Sequence, residues 1–193
     1  MTAHAIQIIH DEHKAVAAVL RSLEMLAKQG PGGKPARFFE VLRSMIFYID
    51  EFPERRHHPN ESRVFFPMLM RAAPELRAVI EGLEIDHESG ERKVRELLHL
   101  LSAWEIVGES RRAIFEGAVA EYVRLYLDHM RTEETQLFPV ARRLFSAADW
   151  KELDATFDAQ RDPLAGGARE AEYEALFSRI VIKAPAPIGL GEE

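Results

Sequence analysis

The sequence predicts an all-α chain: an antiparallel up-down four-helix bundle over residues 1–146, then a short C-terminal helical extension with a loose tail over residues 147–193. Three observations carry this. Apolar residues recur at steps of three and four over long stretches, the period of a helix. Glycine and proline cut the pattern into four long segments with short links, the arrangement of an antiparallel bundle. No segment sustains the two-residue alternation of a strand.

The first segment runs from about Ile6 to Lys28, with Ile6, Ile9, Val16, Leu20, Leu23 and Ala27 near one face, and ends at Gly30-Pro31-Gly32-Gly33. The second covers about Ala36 to Arg71. Pro53 and Pro59 each remove a backbone donor there, so two helical pieces or one bent helix are expected. Pro74 opens the third, to about Trp104, with Ile80, Leu83, Val94, Leu97 and Leu101 inward. The fourth spans about Ser110 to Phe145, with Ala118, Tyr122, Leu125, Val140 and Leu144 aligned. A shorter helix over Ala147 to Ala159, a turn at Pro163 to Gly167, a last helix near Arg169 to Ile182 and a Pro- and Gly-rich tail from Ala184 complete the chain.

The 193 residues suit one domain with a real core. A net charge of −7 argues against a strongly basic nucleic-acid surface, so no nucleic-acid partner is expected. The chain has no cysteine, which excludes disulfides, thiolate metal sites and cysteine nucleophiles; any metal must sit on nitrogen and oxygen. The N-terminus lacks the pattern of a signal peptide and no apolar run of about 18 residues occurs. The expectation is a cytoplasmic protein without a membrane partner.

The chemistry lies in an internal repeat. HHPNESRVFFPML from His57 and HMRTEETQLFPVA from His129 each carry Glu four residues after His, then Phe and Pro at nine and ten. More weakly, Ile9-His10-Asp11-Glu12 matches Asp86-His87-Glu88. The chain thus reads as two helical hairpins, each with one His on its first helix and His-x-x-x-Glu on its second. Residues i and i+4 share a helix face, so His57 with Glu61, and His129 with Glu133, can aim an imidazole and a carboxylate at one point. With two further imidazoles they can hold two metal ions bridged by the carboxylates. Imidazole and carboxylate suit iron, with manganese or zinc as alternatives.

A lone His on an apolar face is usually a hydrogen-bonded core residue, and a lone His-x-x-x-Glu is common on solvated helices. Against that bland reading, burying an unpaired carboxylate is costly. No Lys or Arg is placed to neutralise these inward Glu residues, and a metal pair resolves the problem.

The segments HDEH, HHPNE with FFP, IDHE, and HMRTEE with LFP resemble, in order, the four helix motifs of the hemerythrin-like (HHE cation-binding) family, over about the first 145 residues. The resemblance implies His10, His57, His87 and His129 as terminal ligands and Glu61 and Glu133 as bridges between two ferrous or ferric ions, with an oxo or hydroxo bridge. Three alternatives stay open: His13, one turn beyond His10; His58, beside His57; and Glu91, four residues after His87. Asp11, Glu12, Asp86 and Glu88 adjoin ligands, and one or two are expected to orient an imidazole; Glu134, turned about 100° from Glu133, is expected behind the site or at the surface. Oxygen carriers of this kind have His-x-x-x-His on the third helix and His-x-x-x-x-Asp on the fourth, whereas this chain has His-x-x-x-Glu in both places. That departure puts reversible oxygen transport in doubt.

Three function classes follow. The first is a di-iron protein that binds or reacts with oxygen, nitric oxide or peroxide, or handles iron. The second is a di-iron oxidoreductase consuming peroxide or nitric oxide or repairing iron clusters. The third is a structural bundle with a redox-inert metal. A homodimer through the C-terminal helices is compatible with each.

Overall fold

The computed structural model describes residues 4–167 and 173–180, which are helical with no strand among them. Helix α1 (His4–Gln29) ends where Gly30, at φ +80°, turns left-handed and donates to Leu26 O at 2.9 Å. Arg112 closes over that end by donating to Lys28 O at 2.7 Å. A Cβ on Gly30 would meet Arg112 Nη1 at 2.7 Å, so this turn needs glycine twice over.

Helix α2 (residues 35–72) begins with Pro35, whose missing N–H costs nothing in a first turn. Of the two arrangements expected at Pro53 and Pro59, the chain keeps one continuous helix. The chain widens to a π-helix over Asp50–His57, resumes as α-helix over His58–Asn60, widens again over Glu61–Phe65 and finishes as Phe66–Ala72. A proline clashes with the carbonyl four residues back, and a π turn moves that carbonyl out of register.

A 3-10 turn, Pro74–Leu76, leads into α3 (Arg77–Val107), which stops at Gly108. Another, Glu109–Arg111, leads into α4 (residues 112–144): α-helix Arg112–Thr132, π-helix Glu133–Leu137, α-helix Phe138–Leu144. The Phe-Pro repeat thus marks matching π turns, each starting on a predicted ligand glutamate. In both, the N–H of the Phe before proline reaches the Glu carbonyl five residues back. The extra residue per turn also explains why neighbours Phe65 and Phe66, and Leu137 and Phe138, are buried together.

Ser146 caps α5 (Ala147–Ala159) through a capping box with Asp149. A 3-10 turn (Pro163–Ala165) follows, and α6 (Glu174–Ser178) is what is described of the last predicted helix. The tail from Ala184 lies outside the described residues.

Helix α1 packs on α2, α4 and α5, while α3 packs on α2 and α4. The predicted inward faces of α1 and α3 are buried. That of α4 differs: its inward stripe is Phe115, Val119, Tyr122, Tyr126, His129, Glu133, Leu137 and Ala141, while Leu144 is exposed. The core forms two apolar clusters. One holds Val16 to Ala27, Phe38 to Phe52, Val94 to Trp104 and Phe115 to Met130, with Leu176, Phe177 and Ile180. The other holds Ala5 to Ile9, Phe65 to Leu69, Ile80, Leu83, Leu137 to Ala141, Leu153 and Phe157. On all four long helices the gap between the clusters falls at the same level, and it is filled by polar residues.

Candidate metal centre

The intervening layer consists of His13 on α1, His57, His58 and Glu61 on α2, His87 on α3, and His129 and Glu133 on α4. Glu61 and Glu133 have no exposed surface. Each divides its two oxygens between two groups of imidazoles. Toward one side, Glu61 Oε1 lies 3.1 Å from His57 Nε2, and Glu133 Oε2 lies 3.3 Å from His13 Nε2. Toward the other, Glu61 Oε2 lies 3.4 Å from His87 Nε2, and Glu133 Oε1 lies 3.6 Å from His129 Nε2. Two positions result: a first beside His13 and His57, and a second beside His87 and His129, with the carboxylates between them. His58 joins the second, its ligand atom grouped with those of Glu61, His87 and His129, while His13, His57 and Glu61 form the first group.

Each imidazole has its other nitrogen occupied. His13 Nδ1 donates to Glu134 (3.0 Å), His57 Nδ1 to Glu12 (2.7 Å) and His58 Nδ1 to Glu54 (3.0 Å). His87 Nδ1 donates to Ser62 Oγ at 3.0 Å, whose own proton goes to Glu84. His129 Nδ1 faces Asp86 at 3.4 Å. The carboxylates thereby assign one tautomer to all five rings, with the proton on Nδ1 and the Nε2 lone pair turned inward.

The inward atoms are under-satisfied. Both oxygens of Glu61, both of Glu133 and Nε2 of His13 are buried with no hydrogen-bond partner among the described residues, although ring nitrogens stand within ion-pair reach. Leaving buried carboxylate oxygens unbonded is costly, and a cation shared among them removes that cost. With nitrogen and oxygen donors alone, the set fits a divalent or trivalent iron, manganese or zinc ion.

The electrostatics of the metal-free protein agree. Burial opposes the charged form of His129, but Glu133, with Asp86 behind, outweighs it and raises the ring to about 10. Burial likewise opposes charge on His57, His13 and His87, yet Glu61 with Glu12, Glu133 with Glu134, and Glu61 with Glu84 push them up. Burial raises Glu133, but His129 and His13 hold it well below the usual carboxylate range. His58 goes the other way: burial and then the charges of His87, His129 and His57 hold it well below the usual imidazole range. Raised imidazoles and a lowered carboxylate together favour positive charge in the gap between them, as a metal ion would supply.

His10 lies apart. It is half-buried beside a surface cavity of about 250 Å³ with Gln7, Glu134 and Arg142, whereas His13 completes the buried stripe of Ile9, Val16 and Leu20. Glu91 is exposed and pairs with Arg95. His4 bonds Asp158 at the surface, and His99 is exposed. Two tyrosines reach the layer: Tyr126 donates to His58 Nε2 at 2.8 Å, and Tyr122 to Glu54 at 2.6 Å. Burial pushes Glu54 up to about 7 despite that hydrogen bond. Gly90 makes room for Glu54, since a Cβ there would stand 2.8 Å from its Oε1. Sequence reasoning missed Glu54, Ser62, Glu84 and Asp162. Glu54 had a signal, being one turn before His58.

The family model for the Hemerythrin HHE cation binding domain matches residues 4–141. A Haemophilus influenzae protein is 30% identical over 158 residues, covering 81% of this chain and 89% of its own. Proteins of Mycobacterium bovis and Mycobacterium tuberculosis are 24% identical over 132 residues, 68% of this chain, which spans 50% of their length.

Proposed function

Because the chain belongs to the hemerythrin HHE cation-binding family, we propose that it is a non-haem di-iron protein that binds or reacts with oxygen, nitric oxide or peroxide. The observation that carries this reading is the pair of buried glutamates whose four oxygens have no hydrogen-bond partner among the described residues and turn toward two sets of imidazoles. In this reading the four long helices form an up-down antiparallel bundle, with residues from 147 onward as an extension packed on it. A first ion would be held by His13 and His57 and a second by His58, His87 and His129, with Glu61 and Glu133 available to both.

A bound iron pair supplies one-electron redox chemistry and an open coordination position for a small ligand. The chain's own residues prepare the setting. Glu134, Glu12, Glu54, Ser62 with Glu84, and Asp86 hold the rings with Nε2 inward, so ligands need little reorganisation when the ion enters. Phe138 stacks on His13, Phe66 on His87, and the edge of Phe157 meets His57, so water is kept from three of the five rings. A dry pocket suits an uncharged diatomic ligand or peroxide better than a large polar substrate.

The test is metal content per chain after growth in iron-replete medium, with optical spectra before and after reduction and re-exposure to air. About two irons per chain, with ferric absorption that bleaches on reduction, is expected. Protein that gains no iron on anaerobic reconstitution overturns the reading; stoichiometric zinc without redox response turns it into a structural metal site. Peroxide or nitric oxide decay at catalytic rates then separates an oxidoreductase from a binding protein.

A further inference from the structure

The residues that follow the four long helices contribute to the metal centre. Asp162, in the turn after α5, is 5% exposed and lies against α1 and α2. Its backbone N–H donates to Glu12 Oε1 at 2.8 Å, and the other oxygen of Glu12 accepts from His57 Nδ1. Its side chain fixes the direction of that N–H. Oδ1 accepts from Leu164 N–H at 2.7 Å, closing the turn on itself, and Oδ2 accepts from Tyr48 O–H at 2.5 Å, tying the turn to α2. Its carbonyl accepts from Ala165 and Gly167. On the approach to the turn, α5 is anchored to α1 through Asp154, which accepts from Ala5 N–H at 2.7 Å, and it sets Phe157 against His57.

A buried chain therefore runs Tyr48–Asp162–Glu12–His57 and ends on the first metal position. Without the Asp162 N–H, Glu12 is free to turn from His57, and the ring loses the partner that keeps Nε2 inward. Among the described residues, no comparable connection runs from this segment to the second position, whose rings lean on Glu54, Ser62 with Glu84, and Asp86.

We propose that Asp162 is a positioning residue for the first metal ion, acting through Glu12 on His57, so that the segment after the bundle completes one half of the centre. This rests on the di-metal reading above. A carboxylate behind a ligating histidine is worth roughly 10- to 100-fold in metal affinity; Asp162 stands one step behind that carboxylate, so its loss should cost less, up to about 10-fold, at one position alone.

The test titrates metal-free, full-length protein with cobalt(II) without oxygen, following its visible absorption, with His57→Ala as the marker for loss of the first position. Wild type should take up about two equivalents. Asp162→Ala should keep one tight equivalent and weaken the other several-fold, up to about 10-fold, with the spectrum of His57→Ala at low cobalt. Asp162→Asn, which retains an acceptor for Leu164, should restore most of the loss. Tyr48→Phe, which removes one hydroxyl and leaves the turn intact, should weaken the same position several-fold and serves if Asp162→Ala does not fold. Two unchanged equivalents in Asp162→Ala and Tyr48→Phe overturn the inference and leave the di-metal reading standing. Equal weakening of both equivalents also overturns it, because that is general loss of stability. No cobalt uptake by wild type removes the di-metal reading and this inference with it.

Discussion

His87 and His129 approach Nε2 to Nε2 at 3.2 Å, while the Nδ1 of one is bonded to Ser62 and that of the other faces Asp86. With both Nδ1 atoms acting as donors, two lone pairs point at each other, which is repulsive unless a cation lies between or beside them. The raised pKa of both rings lets a proton take that role in the metal-free protein, and in the proposed di-metal protein an ion would replace it.

This exchange sets opposite pH dependences. His129 titrates at about 10 when folded and about 6.5 when unfolded. Its contribution to stability is complete below about 6.5 and is lost as pH rises through about 10. Glu133, held low, contributes above its ordinary range and loses that on acidification. Metal binding needs the imidazoles unprotonated, so affinity rises with pH. Melting temperatures at pH 6, 7.5 and 9 should show metal-free protein weakening toward pH 9 while the gap to metal-loaded protein widens. A gap independent of pH contradicts the assignment.

Glu61 faces both positions, whereas His13 faces one. Glu61→Gln keeps the shape but replaces one anionic oxygen with an amide nitrogen that binds metal poorly. It should take metal content from about two ions per chain to below one. His13→Ala should leave about one. Elemental analysis of both variants checks this, and equal losses would mean that the carboxylate does not bridge.

The legible part of this site was the local part. His-x-x-x-Glu lies within one helical turn, so chain period alone brings its members together. Burial of His13 was also readable: Ile9 and Val16 stand four before and three after it, and His10 breaks that stripe. Two features resisted. The far end of the α4 face is not readable because the π turn from Glu133 to Leu137 changes register before Val140 and Leu144, while upstream the buried Val119 and Tyr126 stand one position on from Ala118 and Leu125. Asp162 reaches Glu12 across 150 positions of sequence through tertiary packing, and no local pattern records such a contact.

Stability and metal binding should separate at Trp104. It is 1% exposed, in an aromatic cluster with Phe38, Phe39 and Phe115, in the apolar layer on one side of the polar one. Trp104→Ala should cost about 3–5 kcal/mol, as large core truncations do. Chemical denaturation should show this as a lower midpoint, with metal content at low temperature unchanged. Loss of metal in the folded variant would mean that the two layers are coupled.

The sharpest comparison is among neighbouring histidines. His10 and His13 are one turn apart on α1, yet only His13 is grouped with His57 and Glu61. His57 and His58 are adjacent on α2, yet they fall in different groups, because successive side chains on a helix point about 100° apart. His10→Ala should keep full metal content, while His13→Ala and His58→Ala should each weaken one of the two ions. The pair should also differ in which ion is lost: His13→Ala should match His57→Ala in its cobalt spectrum, and His58→Ala should match His87→Ala. His58→Ala that binds both ions normally would reduce His58 to a hydrogen-bonded partner of Tyr126 and Glu54, leaving the second position with two imidazoles.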